Sequence, residues 1–351
     1  MAKRVVLIGH PVSQSLSVVL QQAAFEASGI DATYEPLDRT LIELAEAIAE
    51  LRGDEYLGAN ITVPFKDRVL PMLDRLTDEA HATGAVDTIT REGTRLVGHN
   101  TDVLGFRPTL DALVGRQKMP RMAVVLGAGG GARAVVYGLI TAGFQRVIVF
   151  NRHLHRAEGL VKHFGRSAAH MELRAMPWHE SVLESELAKT KVLINASSVG
   201  RNPGETPIPA ELLPPDLLVL DLLYQPKETR LLHDAAAAGA TSVMNGDLML
   251  IHQSAAAFEL WTGKQAPLDL LRQKVEGGRD SSTDTTAVAD AAVPEVSAAP
   301  AAEAASNEVA AAASSETAAA DLATPATAPA KAPAKRKAKP EPVGAGAEPG
   351  E

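Results

Sequence analysis

The sequence predicts an α/β protein of two domains with largely parallel sheets, followed by a disordered tail. Two series of strand-like runs alternate with helical patterns, a glycine-rich turn opens the second series, and the composition changes abruptly towards the C-terminus. A chain of 351 residues is long enough for two domains. We place the first domain at residues 1–105, completed by helices in residues 245–276, and the second domain at residues 106–244.

The first series begins with the strand-like run RVVLIG and continues through SVVLQQAAFEASG, ATYEPL and LIELAEAIAELR. Gly29 stands where the first helix should end, because glycine readily adopts the left-handed conformation of a helix C-terminus. Thr40 and Glu43 have the spacing of a capping box and predict the start of the second helix. The apolar positions of that helix predict a buried face formed by Leu41, Leu44, Ala45, Ile48 and Leu51.

The second series runs from MAVVLGAGGG through RVIVFN and KVLINAS to LLVLDLLY. We expect residues 102–120, between the two series, to form a connecting helix and a linker. The stretch NGDLMLIHQSAAAFELWTG predicts the last helices, which should pack back on the first domain. The two series should therefore form two lobes with a cleft between them.

The residues after Gly277 are dominated by Ala, Pro, Ser, Thr and Glu. Such a segment contains too little apolar surface to offset the entropy cost of ordering its backbone. We therefore predict a disordered tail at residues 277–351. Its composition fits a solubilising role best; weak polyanion binding by KAPAKRKAKP and recruitment of a partner are the alternatives.

Net charge and composition exclude several classes of protein. The 34 Lys and Arg residues against 43 Asp and Glu residues give a formal charge of −9, which argues against a dedicated nucleic-acid binder. The absence of cysteine excludes disulfides and cysteine–zinc sites and fits a reducing cytoplasm. No apolar run approaches the roughly 18 residues of a membrane span. We expect a cytoplasmic protein with neither a membrane segment nor a specific nucleic-acid partner.

The strand Val124–Leu126 runs into the turn GAGGGA and then into a helix, which is the context in which such a turn binds a dinucleotide. Gly127 permits the tight turn, Gly129 lets backbone N–H groups approach a pyrophosphate, and Ala132 is small enough for helix–strand packing. The positive end of the helix dipole attracts the phosphates. We therefore predict a Rossmann-type, doubly wound domain. Its cofactor contacts are expected at Gly127, Ala128, Gly129, Gly130, Gly131 and Ala132.

The end of the next strand indicates which nicotinamide cofactor is bound. An NAD-binding enzyme presents an acid to the ribose hydroxyls about 20 residues after the glycine turn. This chain has Asn151, Arg152 and Arg156 in that region. A guanidinium can bind a 2′-phosphate through two parallel charge-assisted hydrogen bonds, whereas an acid would repel it. The predicted cofactor is NADP(H); the alternative is that both arginines are solvated surface residues.

Hydride transfer to a carbonyl needs a group that protonates the alkoxide. No tyrosine is followed by a lysine four residues later, so the dyad of short-chain dehydrogenases is absent. The ten histidines fit no metal-binding spacing, and we predict no metal site. Polar loops at residues 9–17, 60–66 and 100–106 each follow a strand-like run. Because the carboxyl ends of parallel strands meet at one edge of a sheet, these loops should converge there and bind ligand.

The loops and the glycine turn are part of a longer series of motifs that extends over residues 4–275. The motifs, in chain order, are G-x-P-x-x-x-S-x-S at Gly9–Ser17, N-x-T-x-P-x-K at Asn60–Lys66, G-A-V-x-T at Gly84–Thr88, N-T-D-x-x-G-F at Asn100–Phe106, G-A-G-G at Gly127–Gly130, N-R-x-x-x-R at Asn151–Arg156, N-A-S-S-x-G at Asn195–Gly200, D-L-x-Y-x-P at Asp221–Pro226 and G-x-x-M-L-x-x-Q at Gly246–Gln253. In this series the sequence resembles the shikimate dehydrogenase family. One such match could arise by chance, but this ordered series could not.

The resemblance implies reversible, NADPH-linked reduction of 3-dehydroshikimate to shikimate, a step toward chorismate and the aromatic amino acids. By position, Lys66 and Asp102 match the catalytic pair of the family. The substrate contacts are matched by Ser15, Ser17, Thr62, Asp87, Tyr224 and Gln253. Ser197 and Gly246 are assigned to the cofactor site. A homodimer is a further expectation, without a motif of its own.

The chemistry of these residues fits the assignments. A desolvated lysine, whose pKa is tuned by burial and a neighbouring carboxylate, can donate a proton to an alkoxide and take it back. Asp102 would orient the ammonium, and Ser15 and Ser17 would donate to the substrate carboxylate. Structural interpretations stay open, because Ser17 and Asp102 could cap helices and Lys66 could be a surface lysine.

Asp87 is the main departure from the family, which has an asparagine there. An amide donates and accepts hydrogen bonds, whereas an ionised carboxylate only accepts them. A second carboxylate near Asp102 usually raises the pKa of one of the two. We expect a shifted pH profile or weaker substrate binding, with the reaction type unchanged.

Two other functions stay open. One is a quinate/shikimate dehydrogenase of broader specificity, although Arg152 and Arg156 argue against an NAD-preferring enzyme. The other is a non-catalytic NADP-binding relative that has kept the fold. The presence of both Lys66 and Asp102 argues against this second alternative.

Overall fold

The computed structural model describes residues 2–13 and 15–277. The predicted disordered tail lies outside the described residues, apart from Gly277, which ends the last helix. None of the helices in the described ranges combines the length and the apolar character needed to cross a membrane.

The first sheet has six strands in the order β2-β1-β3-β5-β6-β4. The strands are β1 (Lys3–Gly9), β2 (Ala32–Asp38), β3 (Tyr56–Ile61), β4 (Arg75–Leu76), β5 (Thr88–Glu92) and β6 (Arg95–His99). β1 runs parallel to β2 and β3, as the alternating pattern predicts. β5 is antiparallel to both β3 and β6, so this sheet is mixed. The helices of this part of the chain are α1 (Leu16–Ala27), α2 (Leu44–Glu50) and α3 (Asp78–Thr83).

The ends of the first two helices agree only in part with the sequence pattern. Gly29 has a φ of 61° just after α1, as expected for a helix C-terminus. Thr40 donates to Glu43 from its N–H and its hydroxyl, at 2.8 and 2.7 Å, but α2 begins only at Leu44. The expected burial of Leu41 and Ala45 is therefore wrong, and Leu41 is 57% exposed. Because residues 41–43 form a turn, the helical register starts later than the apolar pattern suggests.

The second sheet is entirely parallel, with the strand order β12-β11-β10-β7-β8-β9. Its strands are β7 (Met122–Leu126), β8 (Arg146–Phe150), β9 (Glu172–Met176), β10 (Val192–Asn195), β11 (Leu218–Asp221) and β12 (Ser242–Met244). The helices between them are α5 (Gly130–Thr141), α6 (Leu154–Phe164), α7 (Glu180–Leu187) and α8 (Arg230–Ala237). Separate apolar clusters cover its two faces. The strand order reverses between β7 and β10, which confirms the predicted doubly wound domain and marks the edge where such sheets bind ligands.

Two helices pack against each other where the two parts of the chain meet: α4 (Thr101–Val114) and α9 (Asp247–Thr262). A Cβ at Gly105 of α4 would lie 2.6 Å from the carbonyl oxygen of Met249, so glycine allows this close packing. The later residues of α4 join the core of the second sheet, and the predicted division after residue 105 falls inside this helix. α9 and α10 (Leu268–Gly277) share a core with β1 and α1. The last helices therefore return to the first sheet.

Phe258 of α9 should be a main source of stability for the first sheet. It is fully buried, and its ring centroid lies 5.5 Å from that of Phe25 of α1. We predict that Phe258→Ala lowers the free energy of unfolding by about 3–5 kcal/mol, because it leaves a cavity in the core. Urea unfolding measures this loss. Leu260→Ala is the control on the same helix; Leu260 is 39% exposed, and we expect a change of no more than about 1 kcal/mol.

Candidate active site

A cavity of about 230 Å³ lies where the loops of the first sheet meet those of the second sheet. Every residue that the family resemblance assigns to catalysis or substrate binding lines this cavity. These residues are Ser15, Ser17, Thr62, Lys66, Asp87, Asp102, Tyr224 and Gln253. The structure therefore brings together side chains that are separated by up to 238 positions in the sequence.

Lys66 and Asp102 form the ion pair at the centre of this cavity. The Nζ atom of Lys66 donates to Oδ2 of Asp102 at 2.5 Å, and their side chains are only 15% and 9% exposed. Lys66 follows β3, and Asp102 is in the first turn of α4. The helix cap is Asn100, whose Oδ1 accepts from the N–H of Val103 at 3.1 Å. The interpretations of Lys66 as a surface lysine and of Asp102 as a cap are therefore both wrong.

The charge state of the pair depends on burial and on a second carboxylate. Burial lowers the pKa of Lys66, but the negative charges of Asp102 and Asp87 more than compensate, so the pKa of Lys66 lies above its ordinary value. Burial raises the pKa of Asp102; the Lys66 ammonium opposes this shift and Asp87 adds to it. Lys66 is therefore an ammonium at neutral pH, in the form that can donate a proton.

Ser15 and Ser17 stand at the N-terminus of α1. Ser15 is the helix cap, and its Oγ accepts from the N–H of Ser17 at 3.3 Å. Ser17 is inside the first turn, so its interpretation as the cap is wrong. A helix N-terminus attracts anions through its unpaired N–H groups and its dipole. This end of the cavity therefore suits a carboxylate.

Asn60 also lines the cavity, but sequence reasoning assigned it no role in the site. Its Nδ2 donates to the carbonyl oxygen of Asp87 at 3.0 Å and to Oγ1 of Thr88 at 2.9 Å. Its Oδ1 accepts from the hydroxyl of Tyr34 at 2.7 Å. The only signal in the sequence was its place in the polar stretch at residues 60–66, and the structure puts Asn60 near the end of β3. Asn60 therefore connects the strands on which the site is built.

Arg201 is a second lining residue that sequence reasoning missed. It follows the N-A-S-S-x-G motif directly, and it is exposed at the cavity.

In the described parts of the chain, no group of three or more His, Asp or Glu side chains could hold a metal ion.

The glycine turn has the geometry that close backbone approach requires. Gly127 has a φ of +105°, and a Cβ there would lie 2.7 Å from the carbonyl oxygen of Ala196. A Cβ at Gly129 would meet no atom within 4 Å, so the space above this residue is open. Gly131 lines the cavity, and Ala132 is fully buried against the sheet. A pyrophosphate could therefore approach the N-terminus of α5 without displacing a side chain.

Gly130 brings the glycine turn against the ion pair. A Cβ at this position would lie 2.8 Å from both Cβ and Cδ of Lys66. The proposed cofactor turn and the proposed proton donor are thus in van der Waals contact.

Asn151, Arg152 and Arg156 lie at the end of β8 and the start of α6. Nδ2 of Asn151 donates to the carbonyl oxygen of His153 at 2.9 Å, which fixes this turn. Both guanidinium groups are on exposed residues, and neither is paired with a carboxylate in residues 2–13 and 15–277. Their charges are therefore available for a phosphate group, and the residues present fit NADP(H).

Ser197 and Gly246 line the same cavity. The hydroxyl of Ser197 donates to Oδ1 of Asn195 at 2.7 Å, and its Oγ accepts from the N–H of Val199 at 3.2 Å. A Cβ at Gly246 would lie 2.1 Å from the carbonyl oxygen of Leu222, so only glycine fits beside this strand end. Both residues shape the side of the cavity that the second sheet provides.

Asp221 holds the loop that carries Tyr224. It is fully buried, and its carboxylate accepts from the N–H of Leu223 at 3.1 Å, from Nδ2 of Asn195 at 2.9 Å and from the hydroxyl of Thr229 at 2.7 Å. Burial raises the pKa of Asp221 to about 6, against the effect of these hydrogen bonds. The carboxylate therefore joins the ends of β10 and β11 next to the cavity.

The second sheet is doubly wound, and its glycine turn contacts a buried lysine–carboxylate pair. These features place the protein in the class of nicotinamide-dependent dehydrogenases. Three family models match the chain: the shikimate dehydrogenase substrate binding domain at residues 7–89, shikimate/quinate 5-dehydrogenase at residues 113–202, and the shikimate 5′-dehydrogenase C-terminal domain at residues 249–276. The chain belongs to the shikimate dehydrogenase family.

Individual relatives agree with this result. The NADP(+) shikimate dehydrogenase of Salinibacter ruber is 41% identical over 268 residues, which cover 75% of this chain and 93% of the relative. The crystal structure of shikimate 5-dehydrogenase from Thermus thermophilus with NADP(H) and shikimate has 38% identity and a TM-score of 0.68, covering 78% of this chain and 99% of that one. The structure of quinate dehydrogenase from Corynebacterium glutamicum with NAD has 30% identity and a TM-score of 0.70, and the match covers 79% of this chain and 99% of that one.

Proposed function

We propose that this protein catalyses the reversible, NADPH-dependent reduction of 3-dehydroshikimate to shikimate, a step toward chorismate and the aromatic amino acids. The observation that carries the proposal is the buried pair of Lys66 and Asp102, which shares one cavity with the glycine turn of α5. The name of the Salinibacter ruber relative and the ligands of the Thermus thermophilus structure support it.

Lys66 is the proposed acid–base residue. NADPH supplies the hydride that reduces the carbonyl carbon of the substrate. The Lys66 ammonium donates a proton to the carbonyl oxygen as the carbon–oxygen double bond becomes a single bond, and Asp102 keeps the ammonium in place. In the oxidation of shikimate, the neutral amine of Lys66 takes the proton from the hydroxyl. A positioned acid–base group of this kind typically contributes about 10²–10⁴-fold to the rate.

The remaining polar residues of the cavity suit a hydroxylated ring with one carboxylate. Ser15 and Ser17, at the N-terminus of α1, would donate to the carboxylate. Thr62, Tyr224 and Gln253 would bind ring hydroxyls from the other walls of the cavity. An unpaired buried polar group costs about 1–3 kcal/mol, so such a site would discriminate against a deoxy analogue.

The cofactor would be held by backbone N–H groups of Gly127 to Ala132, with Ser197 and Gly246 beside it. Arg152 and Arg156 would bind the 2′-phosphate that distinguishes NADP from NAD.

We also propose that residues 1–105, together with residues 245–276, form a substrate domain, and that residues 106–244 form a cofactor domain. A homodimer is likewise a proposal, as is a cytoplasmic location, which the cysteine-free composition supports.

A broader quinate/shikimate dehydrogenase is the second candidate. One of the matching family models covers both enzymes, and a quinate dehydrogenase is among the similar structures. That protein was solved with NAD, whereas this chain has two arginines at the place expected for a 2′-phosphate, and neither is paired with a carboxylate among the residues that the structure describes. The two arginines therefore favour NADP over NAD, and the name of the Salinibacter ruber relative favours shikimate over quinate.

The first prediction concerns the reaction itself. The protein should oxidise shikimate with NADP⁺ at a higher kcat/KM than quinate or than shikimate with NAD⁺, measured by absorbance of the reduced nicotinamide. Lys66→Ala should lower kcat by about 10²–10⁴-fold, because the proton has no positioned donor or acceptor. Lys118→Ala, an exposed lysine before β7, is the control and should retain full activity. No turnover of shikimate by the wild-type protein would refute the proposal and favour a non-catalytic NADP-binding protein.

The cofactor preference should depend on the two arginines. We predict that Arg152→Ala and Arg156→Ala each lower the ratio of kcat/KM for NADP⁺ to that for NAD⁺ by about 10–100-fold, the loss expected for charge-assisted hydrogen bonds to a phosphate. Arg166→Ala, an exposed arginine after α6, is the control. If the ratio does not change in either variant, the arginines are surface residues without a role in binding.

Gly129 allows a test of the cofactor turn that does not disturb the protein itself. Because a Cβ at this position meets no atom within 4 Å, Gly129→Ala should leave the melting temperature unchanged. It should raise KM for NADP⁺ by about tenfold or more, since the methyl group occupies the space through which the phosphates approach. Gly159→Ala, at an equally open position in α6, is the matched control. An unaltered KM would place the pyrophosphate elsewhere.

A further inference from the structure

Asp87 is buried at the centre of the site, and protein donors surround its carboxylate. Oδ1 accepts from the N–H of Thr101 at 2.8 Å and from the hydroxyls of Thr101 and Thr88 at 2.7 and 2.8 Å. Oδ2 accepts from the N–H of Asp102 at 2.7 Å. A carboxylate offers about four acceptor positions, two on each oxygen, so Oδ1 is fully occupied and Oδ2 keeps one position at most for a substrate hydroxyl.

Two of these donors are the first N–H groups of α4. A helix provides no acceptors for the N–H groups of its first turn, so they need partners from outside. The Asp87 carboxylate supplies partners for Thr101 and Asp102, and Asn100 supplies one for Val103. The carboxylate also lies at the positive end of a helix of 14 residues, where a negative charge is stabilising. The start of α4 is therefore fixed by a charged side chain.

An asparagine could not make the same contacts. Whichever way its amide were turned, its NH₂ group would face one of the two N–H groups, and a donor would meet a donor. Only a carboxylate accepts from both. The departure from the family's asparagine at this position therefore changes what the residue can bind.

We propose that Asp87 is a positioning residue that fixes the first turn of α4 and thereby holds the Asp102 carboxylate against the Lys66 ammonium, and that it is not a ligand of the substrate. The inference rests on the proposed function, in which Lys66 donates and accepts the proton and Asp102 keeps the Lys66 ammonium in place. It replaces the expectation that Asp87 accepts hydrogen bonds from substrate hydroxyls.

The charge of Asp87 also acts on Lys66 directly. The groups that face the ammonium are Asp102 from α4, Asp87 from the segment before β5 and Tyr224 from the segment after β11. The second sheet contributes the backbone of Gly130 and, at the cavity edge, the cation of Arg201. Both carboxylates raise the pKa of Lys66 against the effect of burial. Removal of the Asp87 charge should therefore lower this pKa.

The test is Asp87→Asn in the full-length protein. We expect kcat to fall by about 10–100-fold, the order that a displacement of about 1 Å in a reacting group can cause. KM for shikimate should change little, because no substrate contact is lost. The alkaline limb of the pH profile for reduction of 3-dehydroshikimate should move to lower pH, because Lys66 must be protonated and would lose its proton earlier.

Amide hydrogen exchange provides a readout that does not depend on turnover. At least one of the N–H groups of Thr101 and Asp102 should exchange faster in Asp87→Asn than in the wild-type protein, since the amide can accept from only one of them. Asp111→Asn is the matched control: it lies on the same helix and accepts from Arg107 at the surface, at 3.0 Å. In this control the exchange, kcat and pH profile should all stay unchanged.

A rise of KM at unchanged kcat, with unchanged exchange at Thr101 and Asp102, would overturn the proposal and make Asp87 a substrate ligand. If Asp87→Asn does not fold, Thr101→Val removes one donor to the same carboxylate, and Thr101→Ser retains it. A lower kcat in the valine variant alone would support the proposal, and equal activity in both would overturn it. If the wild-type protein does not turn over shikimate, the proposed function fails, while the exchange measurement still tests the role of Asp87.

Discussion

The site depends on one buried ion pair, between Lys66 and Asp102. Removing Lys66 would leave two carboxylates without a counter-ion in a poorly solvated cavity, and the removal of one partner of a buried pair typically costs about 3–5 kcal/mol. Asp87 adds a second negative charge, so the environment favours the ammonium even though burial alone would lower the pKa of Lys66. The fold must therefore bring one cation and two carboxylates together from separate segments and hold them there.

Backbone hydrogen bonds of the first sheet bring these segments together. The N–H of Val86 donates to the carbonyl oxygen of Lys66 at 2.8 Å, and the N–H of Asp87 donates to that of His99 at 3.1 Å. The antiparallel pairing of β5 with β3 and β6 thus places the residues before β5 between the loop after β3 and the start of α4. Asn60 adds two side-chain bonds across the same strands. The mixed topology of the first sheet is therefore what makes the site possible.

Much of the fold could be predicted from the sequence, because alternating strand and helix patterns and a glycine turn depend on local residue order. The convergence of the polar loops also followed from a general rule about sheet edges. The caps could not be predicted, since Ser15 and Ser17, or Asn100 and Asp102, are equally good caps by residue type, and contacts with the rest of the fold decide which of them begins the helix. The two backbone N–H partners of the Asp87 carboxylate lie 14 and 15 positions further along the chain, a separation that has no periodic signature.

The two sheets constrain each other at the point where the chemistry would occur. Gly130 belongs to the turn that would bind the cofactor. It must nevertheless be glycine because a Cβ there would collide with the aliphatic part of the Lys66 side chain, which follows β3 of the first sheet. Four residues on from Gly129, Arg133 donates at 3.1 Å to a carbonyl oxygen at the C-terminal end of α3, and His163 of α6 donates to the preceding carbonyl at 2.8 Å. Carbonyl groups at a helix C-terminus lack partners within the helix and attract cations. The helix that begins with the glycine turn thus contacts Lys66 through Gly130 and α3 through Arg133. Its sequence is therefore limited by the geometry of the ion pair as well as by the shape of a dinucleotide.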